Sequence, residues 1–308
     1  MMQWEVAVAD ADAVGESPFW HPREDRLYWV DIAGRRVRRW KPGESAPEDW
    51  ALPQEPGCIA PAASGGLVLA LRDGIYRARS WGGPLAPIVR FPHGDTTRFN
   101  DGKADPLGRF WAGTYYEPKD ARKADLYSVD CRPDNGEGGK AITMLKAHNV
   151  ASANGLAWSP DGRTLYWADT AGHVIDAWDF DPASSAMRKH RVFHRFPEKP
   201  AGWKPGQGGY GGRPDGAAVD AEGYYWCAMF EGGRLLRLSP GGGVVAEIDV
   251  PVRCPTMPCF GGPDGRTLYL TSARHGRPAE ELQAFPHSGC VFSTRVDVPG
   301  LPTNFFID

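Results

Sequence analysis

Four short polar clusters stand out in this 308-residue chain: Gly15-Glu16-Ser17-Pro18, Arg98-Phe99-Asn100-Asp101-Gly102, Ala153-Asn154-Gly155 and Arg213-Pro214-Asp215-Gly216. If Glu16, Asn154 and Asp215 meet, they form an all-oxygen ligand set without His or Cys. Such a set favours a hard divalent cation such as Ca²⁺, Mg²⁺ or Mn²⁺ over structural zinc. Three protein ligands leave positions for water and substrate, as a metal-assisted hydrolase requires. Taken singly, Asn154-Gly155 and Asp215-Gly216 are ordinary turn dipeptides, Asn100-Asp101-Gly102 is a competent hairpin turn and Glu16 is a loop carboxylate. Their positions link them, because Glu16 precedes the first, Asn154 the fourth and Asp215 the fifth of six repeated units.

Those units set the architecture. FWHPREDRLYWVDIAGRRVRRW from Phe19, WSPDGRTLYWADTAGHVIDAWDFD from Trp158 and FGGPDGRTLYLTSA from Phe260 are close variants. SGGLVLALRDGIYRA from Ser64, DPLGRFWAGTYY from Asp105 and DAEGYYWCAMFEGGRLLRLSP from Asp220 are weaker copies. In each, an Asp-Gly or Gly-Gly turn allows the positive φ of a tight hairpin, and aromatic and β-branched residues then alternate as a half-buried strand. A lone hairpin cannot bury its apolar face. Four-stranded blades stacked radially at a period of about 50 residues do so and leave only short edges. The chain is therefore expected to be all-β, one six-bladed β-propeller spanning 1–308. Its blade-entering segments converge at one channel mouth, where the polar clusters meet. The N-terminal strand around Gln3–Val8 is expected to pair with Gly289–Val296 to close the ring. Ala121–Tyr127 is the best short helix candidate, and Phe196–Gly212 reads either as a surface connection or as a lid bearing Trp203 and Tyr210.

Composition narrows the function. With 38 Gly, 28 Pro, 24% charged and 42% apolar residues, the chain is globular and turn-rich. A net charge of -3 without a dense Lys/Arg run argues against nucleic acid. The basic stretch Arg35-Arg36-Val37-Arg38-Arg39 reads as a solvated strand face. No apolar run approaches the roughly 18 residues that span a bilayer, so no membrane partner is expected. Six scattered cysteines form no CxxC pair, and MMQWEVAVADADAV lacks the basic and apolar regions of a secretory signal. The expectation is a cytoplasmic protein with free thiols, monomeric by default.

The blocks GESPFWHPREDRLYWVDI, RFNDGKADPLGRFWAGT, NGLAWSPDGRTLYWADT, RPDGAAVDAEGYYWCAMFEGGRLLRL and CFGGPDGRTLYLTSA resemble, in order, the signatures of the SMP-30/gluconolactonase family, also called regucalcin-like. The resemblance implies a six-bladed propeller holding one divalent metal, Ca²⁺ before Mg²⁺, Mn²⁺, Fe²⁺ or Zn²⁺, and hydrolysing a sugar lactone of the gluconolactone, xylonolactone or arabinonolactone type. By that resemblance Glu16, Asn154 and Asp215 are the metal ligands and Asp215 the proton acceptor and donor. Arg98 and Asn100 are the substrate contacts, and Glu117, which does not align cleanly with the family's further acidic contact, is a weak one. Two alternatives stand beside it: a phosphotriester or other ester hydrolase on the same scaffold, and a non-catalytic calcium-binding regulator.

Overall fold

A computed structural model describes residues 2–92 and 94–308. The Asp-Gly turns form as their chemistry dictates. Asp161 Oδ1 accepts the Arg163 amide at 3.0 Å and Asp264 Oδ1 that of Arg266 at 3.0 Å, with Gly162 and Gly265 at φ +67° and +66°. Asp105 and Asp220 add an anchor. Besides accepting turn amides, each takes an indole N–H six residues on, from Trp111 at 3.0 Å and Trp226 at 2.9 Å. The hairpins are thereby pinned to the apolar layers between sheets.

Six four-stranded antiparallel sheets result. Blades one to five open with Gly15–His21, Pro56–Pro61, Thr97–Ala104, Ala153–Trp158 and Arg213–Val219, each followed by three strands in sequence order. Blade six consists of Pro255–Gly261, Thr267–Ser272, Val291–Arg295 and, outermost, the N-terminal strand Glu5–Val8. Glu5 lies opposite Ser293 and Val8 opposite Val291, so the ring closes as the sequence suggests. The opening strands pack one on the next from blade one round to blade six and back, which makes them the inner wall of a central channel. They are buried almost throughout, while the fourth strands of blades one to five carry most of the exposed positions.

Two local expectations change. The segment proposed as a helix instead enters the strand Ala124–Asp130, where Ala124, Leu126 and Ser128 point inward at a period of two. The one short helix among the described residues is Ala279–Ala284. The basic stretch does contain the strand Arg36–Trp40, but its face is not solvated. Arg38 is fully buried, donates to Asp12 Oδ1 at 2.7 Å and Asp49 Oδ1 at 2.8 Å, and also meets the Asp10 carboxylate. Asp12 also accepts Trp29 Nε1 at 2.7 Å. A buried charge left without its partner is costly, so Arg38→Met should lower unfolding stability by about 3 kcal/mol. The check is a lower urea midpoint at unchanged slope.

The Phe196–Gly212 segment forms no strand or helix, as its Pro and Gly content requires, and it is tied to blades four and five. Phe196 and Tyr210 are buried, Tyr210 Oη lies 2.6 Å from His173 Nε2, and Lys199 Nζ lies 2.6 Å from Glu231. Arg253 also donates to Gln207 O at 2.7 Å. All six cysteines are free and buried. Among the described residues no helix is long and apolar enough to cross a membrane.

Candidate metal centre and active site

The six opening strands share one irregularity near their site ends. Pairing with the second strand slips between Glu16 and Phe19, Pro56 and Cys58, Phe99 and Gly102, Asn154 and Ala157, Pro214 and Ala217, and Pro255 and Pro258. A bulge re-aims side chains that regular pleating would send between the sheets. Glu16 and Asn154 border their bulges, and Asn100, Asp101 and Asp215 lie within theirs. Asp101-Gly102, Asn154-Gly155 and Asp215-Gly216 therefore serve as bends inside strands, and none of these three is a hairpin turn. Gly155 has φ +61°, and a Cβ there would fall 2.3 Å from the Tyr225 hydroxyl, which donates to Gly155 O at 2.6 Å. At Gly216 a Cβ would fall 2.4 Å from that of Met257. Only glycine allows this approach of neighbouring blades.

The bulges bring most of the expected residues together. Asn100 Nδ2 donates to Asn154 Oδ1 at 2.9 Å and to Ala153 O at 3.0 Å, joining blades three and four. Asn154 Nδ2 donates to Thr170 Oγ1 at 2.7 Å, which leaves its carbonyl oxygen a free lone pair. Arg98 Nη1 donates to Asn100 Oδ1 at 2.8 Å. Glu16 Oε2 accepts the amide of Ser17, a residue held at φ 50°. Such a backbone stores roughly 1–3 kcal/mol of strain and is common at functional sites. Glu117 is engaged elsewhere: it forms a two-pronged pair with Arg72 at 3.0 and 3.1 Å and lies 3.7 Å from Arg98 Nε.

Electrostatics single out the same cluster. Burial pushes the Glu16 carboxyl well above its ordinary range, and the negative charges of Asp215 and Asp101 push it further. Burial likewise raises Asp215, with Arg213 pulling down and Asp101 pushing up. Asp101 is raised by burial and drawn back by Lys103, whose ammonium is itself lowered by burial and donates to Ala217 O. Asp101 Oδ2 accepts the Leu156 amide at 2.9 Å. Sequence reasoning passed over Asp101, Lys103 and Arg213 as site residues. The first two belong to the Arg-Phe-Asn-Asp-Gly-Lys run, where the signal was the run itself.

These residues suit a hard divalent cation. Among the described residues no three His, Cys, Asp or Glu side chains gather as a metal set. The candidate set is two carboxylates and a carboxamide. Glu16 and Asp215 are buried, resist ionisation and act on each other electrostatically. A doubly positive ion removes that penalty, and oxygen donors match its hardness.

The model of the SMP-30/gluconolactonase/LRE-like region matches residues 14–274. The chain is similar to a 6-deoxy-6-sulfogluconolactonase of Pseudomonas putida, with 43% identity over 98% of both chains. It is also similar to a regucalcin of Danio rerio, with 33% identity over 97% of this chain and 96% of the relative. The solved structure of a calcium-binding regucalcin from Agrobacterium tumefaciens superposes with a TM-score of 0.87 at 24% identity, covering 99% of this chain and 97% of that one, which supports the fold. By the family model and the full-length relatives alike, this chain belongs to the SMP-30/gluconolactonase/LRE-like family.

Proposed function

We propose that the protein hydrolyses a sugar lactone to its aldonic acid with the help of one divalent cation, and that Glu16, Asn154 and Asp215 hold that cation. The observation that carries this reading is the placement of these three residues at equivalent bulges on one channel, with Asn100 bonded to Asn154 at 2.9 Å. Full-length relatives named for lactone hydrolysis support it. When bound, the cation supplies Lewis-acid polarisation of the lactone carbonyl.

The chain's own residues do the rest. Asp215 accepts a proton from the attacking water as the water oxygen bonds to the carbonyl carbon. It returns that proton to the ring oxygen as the carbon–oxygen bond breaks, so one carboxyl serves both halves of the hydrolysis. Arg98 offers the substrate its remaining hydrogen-bond donors, and Asn100, whose two N–H groups are taken by Asn154 and Ala153, offers its carbonyl oxygen; their mutual bond orients both. Tyr115 lies against Arg98, whose guanidinium stands 4.9 Å from the ring centroid, and offers an apolar face for the sugar. Glu117 reaches substrate only through a rearranged Arg72 pair, which makes it the weakest of the proposed contacts. Gluconolactone, xylonolactone and arabinonolactone types all fit this chemistry. Ca²⁺ is the first choice of ion, given relatives named regucalcin, with Mg²⁺, Mn²⁺, Fe²⁺ and Zn²⁺ as alternatives. We assign the activity to a cytoplasmic monomer with no nucleic-acid or membrane partner.

The test is a panel of five- and six-membered aldonolactones beside an organophosphate triester, run after chelation and separate re-addition of each ion. A lactone should give the largest kcat/KM, and only with ion restored. A larger value for the triester would reassign the reaction. Tight Ca²⁺ binding without any turnover would leave a binding protein.

A further inference from the structure

Two arginines occupy matched places at the site, each two residues ahead of a polar site residue on an opening strand: Arg98-Phe99-Asn100 in blade three and Arg213-Pro214-Asp215 in blade five. The Arg98–Asn100 bond puts the first pair side by side, and in the second the Arg213 charge is among those that bear on Asp215.

Their hydrogen bonding differs. Arg98 is engaged by Asn100 Oδ1 at 2.8 Å and Phe99 O at 2.9 Å. The Arg213 side chain makes no hydrogen bond among the described residues, and its Nε is buried without a partner, although a guanidinium carries five donors. Its nearest acid is Glu231, 3.4 Å from Nη2. Glu231 is already held more closely by Lys199 at 2.6 Å and Arg277 at 3.0 Å, and Arg277 is further matched by Glu281 through contacts of 2.7 and 2.8 Å. Three cations thus share two carboxylates, and one positive charge is left over. Arg213 is the member whose bonding is unmet. Glu198, on the neighbouring loop, is exposed and forms no ion pair among the described residues.

The surroundings form a built wall. Arg213 is 19% exposed and lies over the Phe230 ring at 5.2 Å. The Phe196–Gly212 segment lays Tyr210 against His173 and Trp203 against Tyr210, with Lys199 over both rings at 5.4 and 5.0 Å. A guanidinium and an ammonium beside aromatic faces, next to the proton-transfer carboxyl, match a sugar ring that bears an oxyanion.

We propose that the site takes lactones carrying a fixed negative charge outside the ring, a sulfonate, phosphate or carboxylate, and that Arg213 with Lys199 recognises that group. This rests on the lactonase reading and names its substrate class. Neutral lactones leave the surplus charge and the idle donors unmatched, so selectivity resides in this wall while the reacting centre is shared.

The experiment compares kcat/KM for gluconolactone with that for gluconolactones bearing a 6-sulfonate, a 6-phosphate or a 6-carboxylate, using ion-loaded protein. At least one charged lactone should be preferred by about tenfold or more, the range of a charge-assisted hydrogen bond. The three arms identify which oxyanion fits. In Arg213→Met the charged-to-neutral ratio should fall by about tenfold or more. Arg213→Lys, which keeps the charge, should retain part of it. Equal kcat/KM for charged and neutral lactones in the native protein overturns the proposal. So does a loss in Arg213→Met or Arg213→Lys that is the same for both, because Arg213 would then serve only the reacting centre. Hydrolysis of none of the four would instead remove the lactonase reading itself, a distinct result.

Discussion

Asp215→Asn should fold, bind a divalent cation more weakly and hydrolyse lactones about a thousandfold more slowly, the scale of a lost general acid–base group. The carboxamide keeps the shape and one oxygen ligand, but it cannot take the proton from water or return it to the leaving oxygen. Burial and the Asp101 charge already oppose ionisation of Asp215, so the substitution also relieves an electrostatic cost. In chelator the variant should therefore melt at a temperature no lower than the native protein. Acid release in a pH-stat, at ion concentrations that saturate each form, separates the catalytic loss from weak ion binding. Near-normal turnover would remove Asp215 from the proton-transfer role.

The second large effect is on stability. A cation held by the native fold alone stabilises it by about 2.7 kcal/mol at a hundredfold excess over Kd, which for a chain of this size is a rise of about 5 °C in melting temperature. Glu16→Gln should lose most of that rise. The sign of the pH dependence follows from the raised carboxyls. A carboxyl with a higher pKa folded than unfolded holds its proton more tightly in the fold, so its contribution is present at low pH and lost as pH climbs past the unfolded value. With Glu16 and Asp215 both raised above ordinary values of 4.5 and 3.8, the chelated protein should lose stability as pH rises beyond that range. Saturating cation should flatten the slope. His21 and His173, lowered by burial, act in the opposite sense between pH 5 and 7, so the slope is read as the difference between the chelated native protein and chelated Glu16→Gln; a native protein that gains stability on the variant as pH rises would contradict the assignment.

The fold was readable because its repeats are built from local chemistry. Asp161-Gly162 and Asp264-Gly265 make the same turn for the same reason, and the alternation that follows admits only a strand. The three residues proposed as ligands stood out through their equivalent places in those repeats. Other features depend on contacts between blades, which no local pattern records. Ala121–Tyr127 reads locally as a helix, and only pairing with a neighbouring strand makes Ala124–Asp130 a strand. Arg38 looked like one charge in a solvated row, because Asp10, Asp12 and Asp49, which neutralise it, come from elsewhere in the chain. Asp101 resembled a turn residue because the bulge that buries it is defined only against the second strand. Arg213 has no role that the sequence assigns, unlike Arg98, and only the sharing of Glu231 among three cations brings it out.

The closing strand has a bearing on how the molecule is made. Glu5–Val8 is synthesised long before its partner Val291–Arg295. Until then blade six exposes an edge and the wall of blade one has no neighbour on that side, although blades two to five can pair from local sequence as they emerge. Contacts of such separation form late, because the entropy of joining distant segments must be met before the contacts reward it. The slow step of folding is therefore ring closure, and a partly made chain is a curved row of sheets with two adhesive ends. Dimers exchanging the first strand are the natural by-product when many such chains refold together at high concentration.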